Sequence, residues 1–79
     1  MSRPAPDSVS DTRAAAEAAI RALATTPTPE AFAALLELSS LTGVALGDSA
    51  RLLAATSSWS TVGEASGTTK QAAWARWHG

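Results

Sequence analysis

Apolar residues in the first part of the chain recur at the spacing of a helix. They include Val9, Ala16, Ile20 and Leu23. Residues three, four or seven positions apart share one helix face. Sustained alternation of apolar and polar residues, the pattern of a half-buried strand, is absent from the sequence, and the β-branched residues are scattered. The pattern predicts an all-α protein, a small bundle of four to five helices.

The first predicted helix follows one of three acceptable N-caps, Asp7, Ser8 or Ser10, and runs to about Ala24. Before it, residues 1–7 contain two prolines and no periodic apolar positions, so we expect a disordered tail there. After it, the sequence TTPTP at residues 25–29 ends the helix, because proline lacks an amide hydrogen and disfavours helical backbone in the residue before it. Residues 8–79 are predicted to form a single helical domain.

The second helix begins with Thr28, Pro29 and Glu30. Threonine is a good N-cap, proline suits the first helical position, and an acid is favoured near the positive end of the helix dipole. The segment that follows is the densest apolar patch of the chain, and we expect it to form the core. Its large residues are Phe32, Leu35, Leu36, Leu38 and Leu41.

The sequence allows two interpretations of the segment that follows this patch. Gly43 and Gly47 weaken a helix, and Asp48 is an acceptable N-cap for a separate helix over residues 49–55. The apolar spacing, which continues through the same segment, instead indicates one bent helix over residues 29–55. We favour two helices that meet near the glycines.

The last part of the chain contains all three tryptophans and a Gly-x-x-x-Gly step. Ser58 is suited to cap a short helix. Gly67 follows where a tight turn needs left-handed backbone, which glycine adopts without a Cβ penalty. Thr68 or Thr69 then caps a last helix. This order predicts a helix-turn-helix over residues 58–78.

The string S-W-x-x-V-G-E-A-x-G-x-T-K-Q-A-A-W-x-R-W at residues 58–77 resembles the helix-turn-helix segment of small actinobacterial DNA-binding proteins and the related segment of sigma-factor region-4-like regulators. It covers about a quarter of the chain. The resemblance implies that Gly63 is the small residue inside the first helix and that Gly67 forms the turn. It also implies that Ala73 packs inside the second helix and that Trp77 is the terminal aromatic residue. The implied function is DNA binding in transcription regulation.

Two turn residues depart from this pattern. Ser66 and Thr68 stand where the resembling segments usually carry Leu and Val, which implies a more polar and less stable core. Trp59 and Trp77 are still expected to pack, because a tryptophan that opens a short helix is usually buried and an aromatic residue at the end closes the core of the resembling segments.

Five residues at the last predicted helix are candidates for DNA contact. Lys70 and Gln71 lie at its start, where lysine can reach guanine or phosphate and glutamine can pair with adenine. Thr69 and Arg76 are expected at phosphates, with the aliphatic stem of Arg76 covering the neighbouring tryptophan ring. Trp74 is expected to face solvent, where it can stack on a base, join a dimer interface or bind another protein.

The charge of the chain is low for a nucleic-acid-binding protein. The net charge is −1; residues 1–57 carry four arginines and six acids, which gives −2, and residues 58–79 carry two cations and one acid, which gives +1. Because affinity for phosphate needs cations, we expect double-stranded DNA to be bound by a homodimer or together with another protein. The second hypothesis is a protein-interaction module that keeps the helix-turn-helix shape and binds through Trp74 and the leucine-rich helix.

The sequence offers no catalytic, metal or cofactor site. It has no cysteine, which excludes disulfides and thiolate metal sites, and its single histidine, His78, is expected to be a frayed terminal residue. The acids share no motif with a histidine or a nucleophile, so we do not expect an enzyme. The glycines of GVALG at residues 43–47 are not a phosphate loop, since the required lysine does not follow.

The predicted location is the cytoplasm. The N-terminal segment lacks an apolar run after its basic residue, so it does not read as a secretory signal. An uninterrupted apolar stretch of about 18 residues, which a membrane span needs, does not occur. We therefore expect no contact with a membrane.

Overall fold

The computed structural model describes residues 5–79, with side chains from Val9 onward. These residues form four helices and no strand, which confirms the all-α prediction. The helices are α1 (Ala5–Ala24), α2 (Pro29–Thr56), α3 (Trp59–Ser66) and α4 (Lys70–Trp77). The chain divides into two compact units, residues 1–38 and 39–79, whereas the sequence predicts one helical domain.

The first helix begins at Ala5, ahead of the three predicted N-caps, and ends at the predicted Ala24. The prediction of a disordered tail is therefore wrong for residues 5–7, which are helical. Pro6 falls in the first turn, where a helical residue has no intrahelical acceptor for its amide, so the missing hydrogen costs little. Residues 1–4 of the predicted tail lie outside the described residues. At the other end, the Thr26 hydroxyl donates to the carbonyl oxygen of Ala22 at 2.7 Å and satisfies an acceptor of the last turn.

The apolar residues of α1 face solvent. Val9 is 79% exposed and Ile20 is 45% exposed, and Leu23 is half-buried. On the polar side, Arg13 Nε lies 3.3 Å from Glu17 Oε2 in an exposed pair one helical turn apart. Such a pair supports the helix weakly, because solvent screens it.

The second helix is continuous, and the interpretation as two helices is wrong. Thr28 caps its start as predicted, with Oγ1 accepting from the amide of Ala31 at 3.1 Å. Asp48 caps nothing; its Oδ1 accepts from Arg51 Nη2 at 2.7 Å. The helix passes through both internal glycines because its continuation places Ala50 in a core with the last two helices, and this burial outweighs the weak helix propensity of glycine.

The length and composition of α2 bear on the membrane prediction. An 18-residue window in this 28-residue helix has a mean hydropathy of 1.3, so the helix is long and apolar enough to cross a membrane by length and composition alone. Small and hydroxylated residues interrupt the apolar residues of α2, so the sequence lacks an uninterrupted apolar run. Because these residues carry no charge, the mean hydropathy of the window stays high. Core helices of soluble proteins, which are mostly buried, and signal sequences pass the same test, whereas 11% of this window is buried. The helix by itself does not locate the protein.

The expectation that the leucine-rich segment of α2 forms the core is wrong, because Phe32, Leu36 and Leu41 are exposed. The core of the second unit is small and built from short side chains. Ala50 of α2, Val62 of α3 and Ala73 of α4 are buried together. Four partly buried residues surround them, namely Leu53, Ala54, Trp59 and Trp77. The expectation that Trp59 and Trp77 are packing residues is therefore confirmed. Among the described helices, α3 and α4 approach each other closely, and the small side chain of Ala73 lies in the core that they share with α2.

Candidate nucleic-acid interface

The start of α3 is fixed by a group of hydroxyls directly after α2. Ser58 is the N-cap, as predicted, and its Oγ accepts from the amide of Thr61 at 3.1 Å. The Thr61 hydroxyl also lies 2.8 Å from Ser57 Oγ and 3.1 Å from Ser58 Oγ. These bonds set the direction in which α3 leaves the end of α2.

The turn between α3 and α4 is built on Gly67. Its backbone is left-handed, with φ 72° and ψ 30°, as predicted. The amide of Gly67 donates to the Glu64 carbonyl at 3.3 Å, and the amide of Thr68 donates to the Gly63 carbonyl at 2.8 Å. The turn thereby satisfies carbonyls that the end of a helix leaves open.

Gly63 lies directly beneath the start of α4. A Cβ at this position would lie 2.9 Å from the Thr68 carbonyl oxygen, 2.9 Å from the Thr69 carbonyl carbon and 3.0 Å from the Thr69 carbonyl oxygen. All three neighbours are backbone atoms, which cannot rotate away as a side chain can. Gly63, expected as the small residue inside the first helix, therefore permits the close approach of α4.

Two residues set the rotation of α4. Thr69 caps the helix, with Oγ1 accepting from the amide of Ala72 at 3.1 Å. Ala73 has 0% exposure and faces the core. At 100° per residue, Gln71 and Trp74 then lie well away from the buried face. The five predicted contact residues are all exposed: Thr69, Lys70, Gln71, Trp74 and Arg76.

Trp74 does not stand alone on the outer face of α4. Its ring stacks on the ring of His78, with centroids 3.8 Å apart and planes inclined by 6°. His78 is the C-cap of α4; its amide donates to the Trp74 carbonyl oxygen at 3.0 Å, and Nδ1 lies 2.6 Å from the same oxygen. The expectation of a frayed histidine is therefore wrong. Trp74 keeps 49% of its surface exposed.

Arg76 lies over the ring of Trp77, as expected. The guanidinium carbon is 5.2 Å from the ring centroid, a distance at which the cation is attracted to the aromatic face. The residue remains exposed. Its stem therefore covers the packed tryptophan while the charge stays available to an anion.

Arg51 joins α2 to the end of α4, a contact that sequence reasoning missed. Its Nη1 donates to the Trp77 carbonyl oxygen at 3.0 Å, while Nη2 binds Asp48. A Cβ on Gly47 would lie 3.3 Å from Nη1, so this glycine leaves room for the guanidinium. Lys70 lies at the opposite end of α4, about 10 Å away along the axis at 1.5 Å per residue.

An apolar groove of about 200 Å³ opens between α2, α3 and the end of α4. The groove is lined by four large apolar side chains and by Ser66. The apolar residues are Leu46, Leu53, Val62 and Trp77. The Ser66 hydroxyl turns back to the helix and donates to the Val62 carbonyl oxygen at 2.8 Å.

No protein-family model, curated protein or solved structure matches the chain.

Proposed function

We propose that this protein is a small DNA-binding transcriptional regulator that acts as a dimer and uses α3 and α4 as its helix-turn-helix. The observation that carries the proposal is the combination of two capped eight-residue helices and a left-handed glycine between them. This arrangement buries one side of α4 through Ala73 and leaves its first turn and outer face exposed. A helix held in this way can enter a major groove.

The start of α4 has the chemistry that DNA contact requires. Lys70 and Gln71 occupy its first two positions, both exposed, at the positive end of the helix dipole. Lysine can reach a phosphate or guanine, and glutamine can pair with adenine. Thr69 and Arg76 lie at the two ends of the helix, where they would contact phosphates on either side of the groove.

The small number of cations near α4 explains why the proposal requires a dimer. Lys70 and Arg76 are the cations of residues 58–79, and Glu64 is the acid. Each phosphate contact contributes to affinity through release of counterions, so two cations give weak binding. Two chains would double the number of contacts and read two half-sites.

A titration of labelled duplex DNA at low salt tests this function. We expect the double variant Lys70→Ala, Gln71→Ala to lose at least tenfold in affinity, because each lost phosphate or base contact weakens binding. The matched control is Arg13→Ala, which removes one cation from α1 and should leave affinity almost unchanged. Equal affinities for the double variant and the unaltered chain would refute the proposed contact surface.

A second candidate function is a protein-interaction module, and the exposed Trp74–His78 stack favours it. The stack presents a flat aromatic surface on the outer face of α4. This is the face that would enter the DNA groove in the first proposal. Aromatic residues of this kind are enriched at protein interfaces. Size-exclusion chromatography with light scattering, with and without duplex at low salt, separates the candidates: absence of a DNA-dependent shift would favour the interaction module.

A further inference from the structure

Two charged residues in the second half of α2 hold the end of α4. Arg51 donates from Nη1 to the Trp77 carbonyl oxygen at 3.0 Å and from Nη2 to Asp48 Oδ1 at 2.7 Å. All three residues belong to the compact unit of residues 39–79. We name Asp48 and Arg51 the clamp.

The bond to Trp77 meets a requirement of the helix end. The last four carbonyl oxygens of a helix have no amide partner within that helix. Trp77 is the last residue of α4, so its carbonyl oxygen accepts its hydrogen bond from outside the helix. A cation at this end is also attracted by the negative end of the helix dipole. The clamp therefore stabilises α4 at the end opposite Lys70.

Packing holds the end of α4 less firmly than its start and its middle. The start lies against Gly63, and Ala73 in the middle is fully buried. At the last turn, the Trp77 ring lines the apolar groove of about 200 Å³, so space remains beside the ring. Since a helix as short as α4 depends on tertiary contacts, the bond from Arg51 is expected to fix the direction of this end.

The distance between the helices favours a long side chain for this role. Among the described helices, α3 and α4 are the pair whose backbones approach closely. The backbone of α2 lies farther from α4, so a side chain must span the gap. The absence of a side chain at Gly47 leaves room for the guanidinium of Arg51, since a Cβ there would lie 3.3 Å from Nη1.

We propose that Arg51 is a positioning residue, which fixes the direction of α4 and thereby raises the affinity for DNA without contacting DNA. Asp48 compensates its charge, and two of its nitrogens already donate hydrogen bonds, so Arg51 is poorly suited to bind a phosphate. The effect on DNA rests on the proposed function. The effect on the direction of α4 does not depend on DNA.

Distances between spin labels test the clamp without DNA. Because the chain contains no cysteine, labels on Val44→Cys in α2 and Ala75→Cys in α4 are unique, and both positions are exposed. Dilution with unlabelled chain removes distances between different molecules. We expect one narrow distance distribution for the labelled chain, a broader one after Arg51→Ala, and an intermediate one after Arg51→Lys, whose ammonium can still donate to Trp77.

Circular dichroism establishes that both variants at position 51 remain helical. A distribution that stays as narrow after Arg51→Ala as before it would overturn the clamp.

The salt dependence of DNA binding separates positioning from phosphate contact. Arg51→Ala should weaken affinity by about tenfold, the usual effect of losing one charge-assisted hydrogen bond, and leave the salt slope unchanged. Loss of a phosphate contact from each of two chains would instead reduce the slope by about 1.8. Arg51→Lys should restore part of the affinity. The matched control is Arg21→Ala, which removes the same charge from α1 and should leave affinity almost unchanged. A reduced slope for Arg51→Ala would overturn the positioning role and assign Arg51 to the DNA.

Asp48→Ala tests the same role by the sign of its effect. Removal of an acid ordinarily raises affinity for DNA, because repulsion of the phosphates decreases. The clamp predicts the opposite, because Arg51 loses the partner that directs it toward Trp77. The matched control is Glu64→Ala in α3, which removes another exposed acid and should raise affinity. Higher affinity for Asp48→Ala as well would overturn the positioning role.

The combined results distinguish this inference from the proposed function. Absence of DNA binding by the unaltered chain would overturn the proposed function, and the spin-label distances alone would then decide the clamp. A broader distribution for Arg51→Ala with unchanged DNA affinity would overturn the positioning role and leave the proposed function standing.

Discussion

The α-carbon of Gly63 faces the carbonyl oxygen of Thr68 so closely that a Cβ on Gly63 would lie 2.9 Å from that oxygen. Gly63 is also buried, so an added methyl group fits only if the neighbouring backbone shifts. The angle between α3 and α4 therefore depends on the absence of one side chain. Since α4 carries the proposed DNA contacts, this glycine links the fold of the unit to its function.

Gly63→Ala should destabilise the protein by about 1–3 kcal/mol, the usual cost of forcing extra atoms into a packed site. Urea unfolding followed by circular dichroism measures the effect. The variant should also bind DNA more weakly, because α4 must shift to relieve the contact.

The matched control is Gly43→Ala in α2. A Cβ there meets nothing within 4 Å, and alanine is the better helix former by about 0.5–1 kcal/mol. We expect this variant to be as stable as the unaltered chain or more so. A gain of stability in both variants would contradict the close approach of Gly63 to the backbone at the start of α4.

Gly67→Ala tests the turn separately. Its φ of 72° is a left-handed conformation that costs an L-residue with a Cβ about 1–2 kcal/mol. Gly67→Asn should cost less, because asparagine tolerates this conformation better. Thermal unfolding ranks the three proteins, and the expected order of melting temperature is Gly, Asn, Ala. An alanine variant as stable as the asparagine variant would argue against a left-handed residue at this position.

Thr69→Ala should weaken the start of α4. The Thr69 side chain accepts a hydrogen bond from the amide of Ala72 at 3.1 Å, and loss of such a cap costs about 1 kcal/mol. Thr69→Ser keeps the acceptor and should restore most of the stability. Thr68→Ala, one residue away from the cap position, serves as the control in the same urea titration. A larger loss of stability for Thr68→Ala than for Thr69→Ala would show that Thr68, and not Thr69, caps α4.

Ser66→Leu should stabilise the protein by roughly 0–2.5 kcal/mol. The added side chain would enter the apolar groove of about 200 Å³ between α2 and α3, and burial of a leucine contributes roughly 1.5–3 kcal/mol. The loss of the bond from the Ser66 hydroxyl to Val62 offsets about 0.5–1.5 kcal/mol of that gain. Ser66→Ala removes the same bond without filling the groove and should be no more stable than the unaltered chain. A leucine variant with a lower melting temperature would show that the groove closes in solution.

The helix-turn-helix could be predicted from sequence because its determinants are local. A serine or threonine cap acts within three residues, and a left-handed glycine acts on its own backbone. Ser58, Gly67 and Thr69 each have the predicted conformation or bond. The inward direction of Ala73 follows from the same helical spacing.

The parts that could not be predicted depend on residues far apart in the chain. The continuity of α2 reflects the packing of Ala50 against α3 and α4, which local helix propensity does not encode. The bond from Arg51 to the Trp77 carbonyl joins residues 26 positions apart. The spacing of Trp74 and His78 places both rings on one helix face, but the sequence does not predict the stack, because a terminal histidine is expected to fray.

The salt dependence of DNA binding tests the central claim most directly, namely that Lys70 and Arg76 of two chains contact phosphates. The slope of log affinity against log salt is about −0.9 per phosphate contact, so four contacts predict a slope of about −3.6. Lys70→Ala should reduce it to about −1.8, because one contact is lost from each chain. Undetectable binding at low salt, or a slope that Lys70→Ala leaves unchanged, would contradict the account.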